Sequence, residues 1–95
     1  SAASDVYKRQ ENYSVFAPRL EIINYYMEEL RKYGWEFIAE EDNVEKSNGK
    51  KVEEKYIFRN GTYELQISFP VETTVNFEGV VYEKSYYIIV FPINR

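Results

Sequence analysis

Asn60-Gly61, set between two runs in which apolar and polar residues alternate, restricts this chain more than any other feature. Both central positions of a type I′ turn need positive φ. Glycine adopts it freely and asparagine tolerates it, so the dipeptide marks a hairpin. A two-residue turn there predicts pairing of Phe58 with Tyr63, Tyr56 with Leu65, Glu54 with Ile67 and Val52 with Phe69. One face then carries Val52, Tyr56, Phe58, Tyr63, Leu65, Ile67 and Phe69. The other carries Lys51, Glu53, Lys55, Ile57, Arg59, Thr62, Glu64, Gln66 and Ser68. A slip of one residue on a single strand would turn that strand's apolar set to solvent, so the pattern limits the register.

Upstream, Leu20, Ile23, Met27 and Leu30 recur at spacings of three and four, the stripe of an amphipathic helix over 18–33. Pro18 suits its first turn and Gly34 its end. Ile22, Tyr26 and Tyr33 widen the stripe, leaving Arg19, Glu21, Asn24, Glu28, Arg31 and Lys32 for solvent. Trp35 to Glu41 alternates as a strand with Trp35, Phe37 and Ala39 inward. Asp42 to Lys50 is polar and reads as a loop. Tyr13 to Phe16 suggests the end of a short strand.

Pro70 marks a strand end. Two readings fit the stretch beyond it: a second hairpin turning at Glu78-Gly79, or a long loop over 70–85. Tyr86 to Phe91 is apolar on both faces, as in a central strand. The expected class is α+β, one N-terminal helix packed on a mostly antiparallel meander sheet of four to five strands.

Two resemblances bear on this reading. Ser1-Ala2-Ala3-Ser4-Asp5-Val6-Tyr7-Lys8-Arg9-Gln10 looks like the in-frame translation of the oligonucleotide used in transposase-based DNA library preparation. Such a scar lies outside fold reasoning. It implies an adaptor-derived, non-native segment at 1–10 that makes no specific contacts. A single small domain, N-terminally truncated, would then occupy 11–95. Glu29-Leu30-Arg31-Lys32-Tyr33-Gly34-Trp35-Glu36 resembles the E-L-x-x-x-G-W-E helix-to-strand junction of small uncharacterised bacterial βαββ domains, over residues 13–58. That resemblance brings no activity with it.

Chemistry is restricted mainly by what is missing. The sequence has no histidine and no cysteine. The usual nucleophilic triads, disulfides and zinc sites therefore have no ligands or bases here. A core of this size must draw on its ten tyrosines, six phenylalanines and Trp35. The formal charge is −4, or −5 once Asp5, Lys8 and Arg9 are set aside, which argues against nonspecific nucleic-acid binding. The longest apolar run is of strand length, so no membrane span is expected in this stretch.

The acidic cluster Glu36, Glu40, Glu41, Asp42 and Glu45 lacks the spacing of a calcium loop, so no metal and no cofactor are expected. Glu53 and Glu64 share a face with Lys55 and Arg59, which reads as cross-strand charge pairing rather than a catalytic pair. Ser47-Asn48-Gly49-Lys50-Lys51 is a turn with a charged edge and no helix behind it. Large apolar residues beside the Glu78-Gly79 turn, Val75 and Phe77 above all, fold back or serve as contacts.

These features point to a non-enzymatic protein-interaction module of a bacterium or phage, antitoxin-like or immunity-like. Glu36, Glu40, Glu41, Asp42, Val75 and Phe77 are its candidate contacts for a protein partner with a basic patch. The alternative is an accessory or structural domain of a larger protein. The sequence leaves localisation open.

Overall fold

Backbone angles place both hairpin turns. Gly61 has φ of 59°, while Thr62 stays out of the positive region. Asn60 pairs with Tyr63, so the turn is Gly61-Thr62, one residue later than expected. Glycine at the first central position is the type II′ arrangement. The reason lies outside the hairpin: the Asn60 side-chain nitrogen donates to the Tyr33 carbonyl at the helix end (3.0 Å). Asn60 is thereby held in the strand as a brace for the helix terminus. Phe58 now faces Leu65, Tyr56 faces Ile67 and Glu54 faces Phe69. Each strand keeps its inward and outward sets, because the register moves by two.

At the second turn Glu78 and Gly79 both have positive φ, 51° and 80°. Phe77 pairs with Val80. That is the type I′ pattern, and it decides 70–85 in favour of a hairpin.

The computed structural model describes residues 9–93. In sequence order it contains β1 (Arg9–Pro18), α1 (Arg19–Lys32), β2 (Glu36–Val44), β3 (Lys51–Asn60) and β4 (Tyr63–Pro70). A 3₁₀ turn (Val71–Thr73), β5 (Thr74–Phe77) and β6 (Val80–Pro92) follow. The class is α+β with an antiparallel sheet. The sheet has six strands, not four or five, and the helix follows a strand rather than leading.

The order β1-β6-β4-β3-β2, with β5 also on β6, is not a plain meander. The last strand enters between the first and the fourth. Its stretch Tyr86 to Phe91, apolar on both faces, thus has neighbours on both edges. The strand fragment expected at Tyr13 to Phe16 is the middle of β1. Arg9 and Gln10 pair with Val90 and Ile89, contrary to the expectation that the first ten residues make no specific contacts. Ladder bonds need only backbone, so such pairing asks little of the side chains. The remainder of the 1–10 segment lies outside the described residues.

The buried core is Ile22, Ile23, Phe58, Leu65, Ile67, Phe69 and Tyr86, with Tyr26, Met27, Leu30, Trp35 and Tyr56 packed against it. Tyr86 is its aromatic centre. It stacks on Tyr13, meets Tyr26 edge-on and lies 5.7 Å from Phe69, ring centre to ring centre. Its hydroxyl is 2.8 Å from that of Tyr26.

Several expected core members lie outside. Leu20 and Tyr33 are exposed, as are Val52 and Tyr63 at the ends of the first hairpin. The buried stripe of α1 is turned by one position and runs Arg19, Ile22/Ile23, Tyr26/Met27, Leu30, so Arg19 takes the place assigned to Leu20. Ile57, on the sheet face away from the helix, is buried.

The turn geometry carries a consequence for stability. Gly61→Val is expected to cost about 1–2 kcal/mol, because a β-branched residue resists positive φ. Thr62→Val should be near neutral, since that position needs no positive φ. Urea denaturation of both variants checks this, and equal losses would contradict the turn assignment.

Candidate functional site

Charge is buried where the helix leaves the sheet. Arg19, the first residue of α1, donates from Nε to Glu83 Oε2 (2.6 Å) and from Nη1 to Glu54 Oε1 (2.5 Å). Its guanidinium lies over the Phe69 ring, 4.9 Å from the centroid. Glu83 is 0 % exposed and accepts a second bond from Thr74 Oγ1 (2.6 Å). One arginine thus joins the helix start, β3 and the β5–β6 hairpin. Burial alone would lower the Arg19 pKa, but the two carboxylates outweigh it and raise it. The sequence pattern placed Arg19 in solvent and did not single out Glu83. A signal existed: Arg19 lies three, four and seven residues before Ile22, Ile23 and Tyr26.

A second polar cluster lies on the face away from the helix. Glu53 accepts from Ser68 Oγ (2.7 Å), the Tyr87 hydroxyl (2.5 Å) and Asn43 Nδ2 (3.2 Å). Burial pushes its carboxyl up, but the bonds from Tyr87, Ser68 and Asn43 and the charge of Lys55 win and hold it below the ordinary range. The same phenol is raised, by burial first and then by bonding to the Glu53 carboxylate. Glu64 accepts from Arg59 (3.1 Å) and Gln66 (2.7 Å). Each of the two carboxylates is matched by its own donors.

The acidic residues of β2 do not form one surface. The register slips between Phe37 and Ala39, and this bulge reverses the alternation. Glu36 pairs with Arg59 and Glu41 with Lys55 on the face away from the helix, while Glu40 pairs with Tyr56 on the other. Asp42 lies 3.6 Å from Lys51, which also donates to Glu54 (2.9 Å). Glu40, Glu41 and Asp42 line a groove of about 280 Å³ with Glu54, Lys55 and Tyr56. Glu36 is not part of it. Charges and a bulge on this outer strand also discourage edge-to-edge pairing. No group of three or more carboxylates among the described residues is placed to hold a metal.

Val75 and Phe77 belong elsewhere, on the far side of the sheet order from β2. Val75 pairs with Tyr82 and Phe77 with Val80, so the four share one face of the β5–β6 hairpin. Phe16 of β1 stacks on Tyr82 at 5.1 Å with the rings nearly parallel. Phe77 is 61 % exposed, Phe16 68 % and Leu20 73 %. Beside them Pro18, Arg19, Leu20, Gly79, Val80 and Val81 line an apolar groove of about 310 Å³. The candidate contacts therefore fall apart: Glu40, Glu41 and Asp42 line the β2–β3 groove, Glu36 lies outside it opposite Arg59, and Val75 and Phe77 belong to this apolar corner. Phe16 and Leu20 were not foreseen as part of the latter.

No helix among the described residues is long and apolar enough to cross a membrane. No family model, no curated protein and no solved structure matches the sequence.

The carboxylate clusters set the acid limb of stability. Glu53 and Glu54 both have folded pKa values below their unfolded ones. Their contribution is complete above the unfolded carboxylate range and disappears as pH falls through the folded values. Glu53→Gln should cost about 1–2 kcal/mol at neutral pH. It should also give a shallower fall in stability on acidification. Denaturation midpoints across acid pH check this, and an unchanged slope would contradict it.

Proposed function

We propose that this domain is a non-enzymatic protein-interaction module, antitoxin-like or immunity-like in kind, that binds its partner through the apolar corner at the β5–β6 turn. The observation that carries the reading is the exposure of Phe16 and Phe77 on the hairpin face that also carries Val80, next to a groove that Val80 lines together with the exposed Leu20. Exposed aromatics that share one face beside an apolar groove are the usual anchors of an interface. The corner is built on a ladder and on the buried Arg19 bridge, so its shape exists before a partner arrives, which limits the ordering cost of binding.

Glu21 follows Leu20 and Glu78 follows Phe77, and both acids are exposed. They supply the acidic rim that the β2 residues, on the other side of the sheet, do not. The partner is accordingly a protein with an apolar contact area bordered by basic residues. A rim of this kind acts mainly on the rate of encounter, while the aromatic anchor acts on dissociation.

The test uses the purified partner and surface-immobilised domain. Phe77→Ala should weaken binding by about 2 kcal/mol, roughly thirtyfold, mostly through faster dissociation. Added salt should slow association. Glu36→Gln and Glu41→Gln should change neither rate by much. Affinity indifferent to both Phe77 and Phe16 would reject the corner as the binding site.

A further inference from the structure

Two Asn-Gly dipeptides occur in the sequence, Asn48-Gly49 and Asn60-Gly61. They place the same reactive pair in two different environments. We propose that Asn48 is a modification site, the residue at which the folded protein deamidates, and that Asn60 is protected by its bond to the end of the helix.

The chemistry needs only water and hydroxide. Hydroxide removes the proton from the backbone nitrogen of Gly49, and that nitrogen attacks Cγ, the amide carbonyl carbon of the Asn48 side chain. A new C–N bond closes a five-membered imide as the bond from Cγ to Nδ2 breaks. The departing nitrogen takes up a proton from water and leaves as ammonia. Water then opens the imide at either carbonyl, giving aspartate or its isomer linked through Cγ. An amide and one water become a carboxylate and ammonium, with no change of oxidation state. Glycine in the second position favours the attack because no Cβ crowds the nitrogen.

Access to that geometry separates the two sites. Asn48 lies in the exposed connection between β2 and β3. Its Oδ1 accepts from the Lys50 backbone N–H (2.9 Å), leaving the departing nitrogen free of that bond. The Gly49 N–H donates to the Glu45 carbonyl (2.7 Å) and must be released. Only this short exposed loop has to open. Opening of an exposed loop is among the least costly local fluctuations in a folded domain.

At Asn60 the departing nitrogen is itself the donor to the Tyr33 carbonyl, 3.0 Å away. The Asn60 amide also packs 3.4 Å from where a Cβ of residue 34 would stand. Asn60 pairs with Tyr63 as the last rung before the turn. Cyclisation there requires the Asn60 amide to leave the Tyr33 carbonyl and the closing rung of the hairpin to open. That opening is larger and less populated than the movement of one surface loop.

The test compares native protein with protein unfolded in urea, both held at mildly alkaline pH and then digested and mapped by mass. In the native sample the Asn48 peptide should gain the mass of one deamidation, with Asn60 converting more than about tenfold more slowly. In urea the two rates should converge. Asn48→Gln should abolish the native signal and leave the Asn60 reaction in urea intact. Native Asn60 reacting as fast as Asn48 would overturn the proposal. So would an Asn48 as strongly protected by folding as Asn60.

Discussion

The arrangement depends on a single ion group. Glu83 is completely buried, and a buried carboxylate is tolerated only when cationic and hydrogen-bonding partners surround it. Arg19 and Thr74 supply those partners. Because Arg19 opens the helix, Thr74 opens β5 and Glu54 belongs to β3, satisfying this group fixes where the helix starts and how the second hairpin lies against it. An apolar replacement would fill the same volume without dictating direction. The group is best understood as specifying geometry, with a net stabilisation smaller than its short distances suggest.

That geometry explains why large apolar side chains lie in solvent at one corner. With Arg19 occupying the head of the buried stripe, Leu20 is rotated outward. With the hairpin held by Thr74 and Glu83, the face carrying Val75, Phe77, Val80 and Tyr82 extends beyond the span where β4 supports β6. Phe16 covers Tyr82, and nothing among the described residues buries Phe16 or Phe77 in turn. The proposed contact surface is thus a product of the buried charge beneath it. Of the β2 acids, by contrast, Glu36 and Glu41 lie across the ladder from Arg59 and Lys55 and Asp42 lies near Lys51, while Glu40 faces Tyr56.

Local rules reached some of this and missed the rest for identifiable reasons. The helix, the two faces of the first hairpin and the Glu78-Gly79 turn were legible, since each rests on periodicity or on positive φ within a few residues. The exact turn at Gly61-Thr62 was not, because Asn60 is engaged by Tyr33, 27 residues away in sequence. The bulge in β2 was equally hidden, and it divided a cluster that looks continuous in the sequence. The place of β6 between β1 and β4 is a long-range pairing that no local pattern encodes. Arg19 shows the opposite failure: its spacing was helical and inward, but its charge argued for solvent. Of the candidate contacts, Val75 and Phe77 were found from their nearness to a turn, whereas Phe16 and Leu20 needed the fold.

A double-mutant cycle between Arg19 and Glu83 tests the central claim most directly. Arg19→Met should cost about 3–5 kcal/mol in denaturant unfolding, because it leaves a buried carboxylate without its cation. Adding Glu83→Leu to that variant should give a total loss smaller than the sum of the two single losses, with a coupling of roughly 2 kcal/mol. If the two losses simply add, the buried pair does not organise the helix and the hairpin, and the account of the corner fails with it.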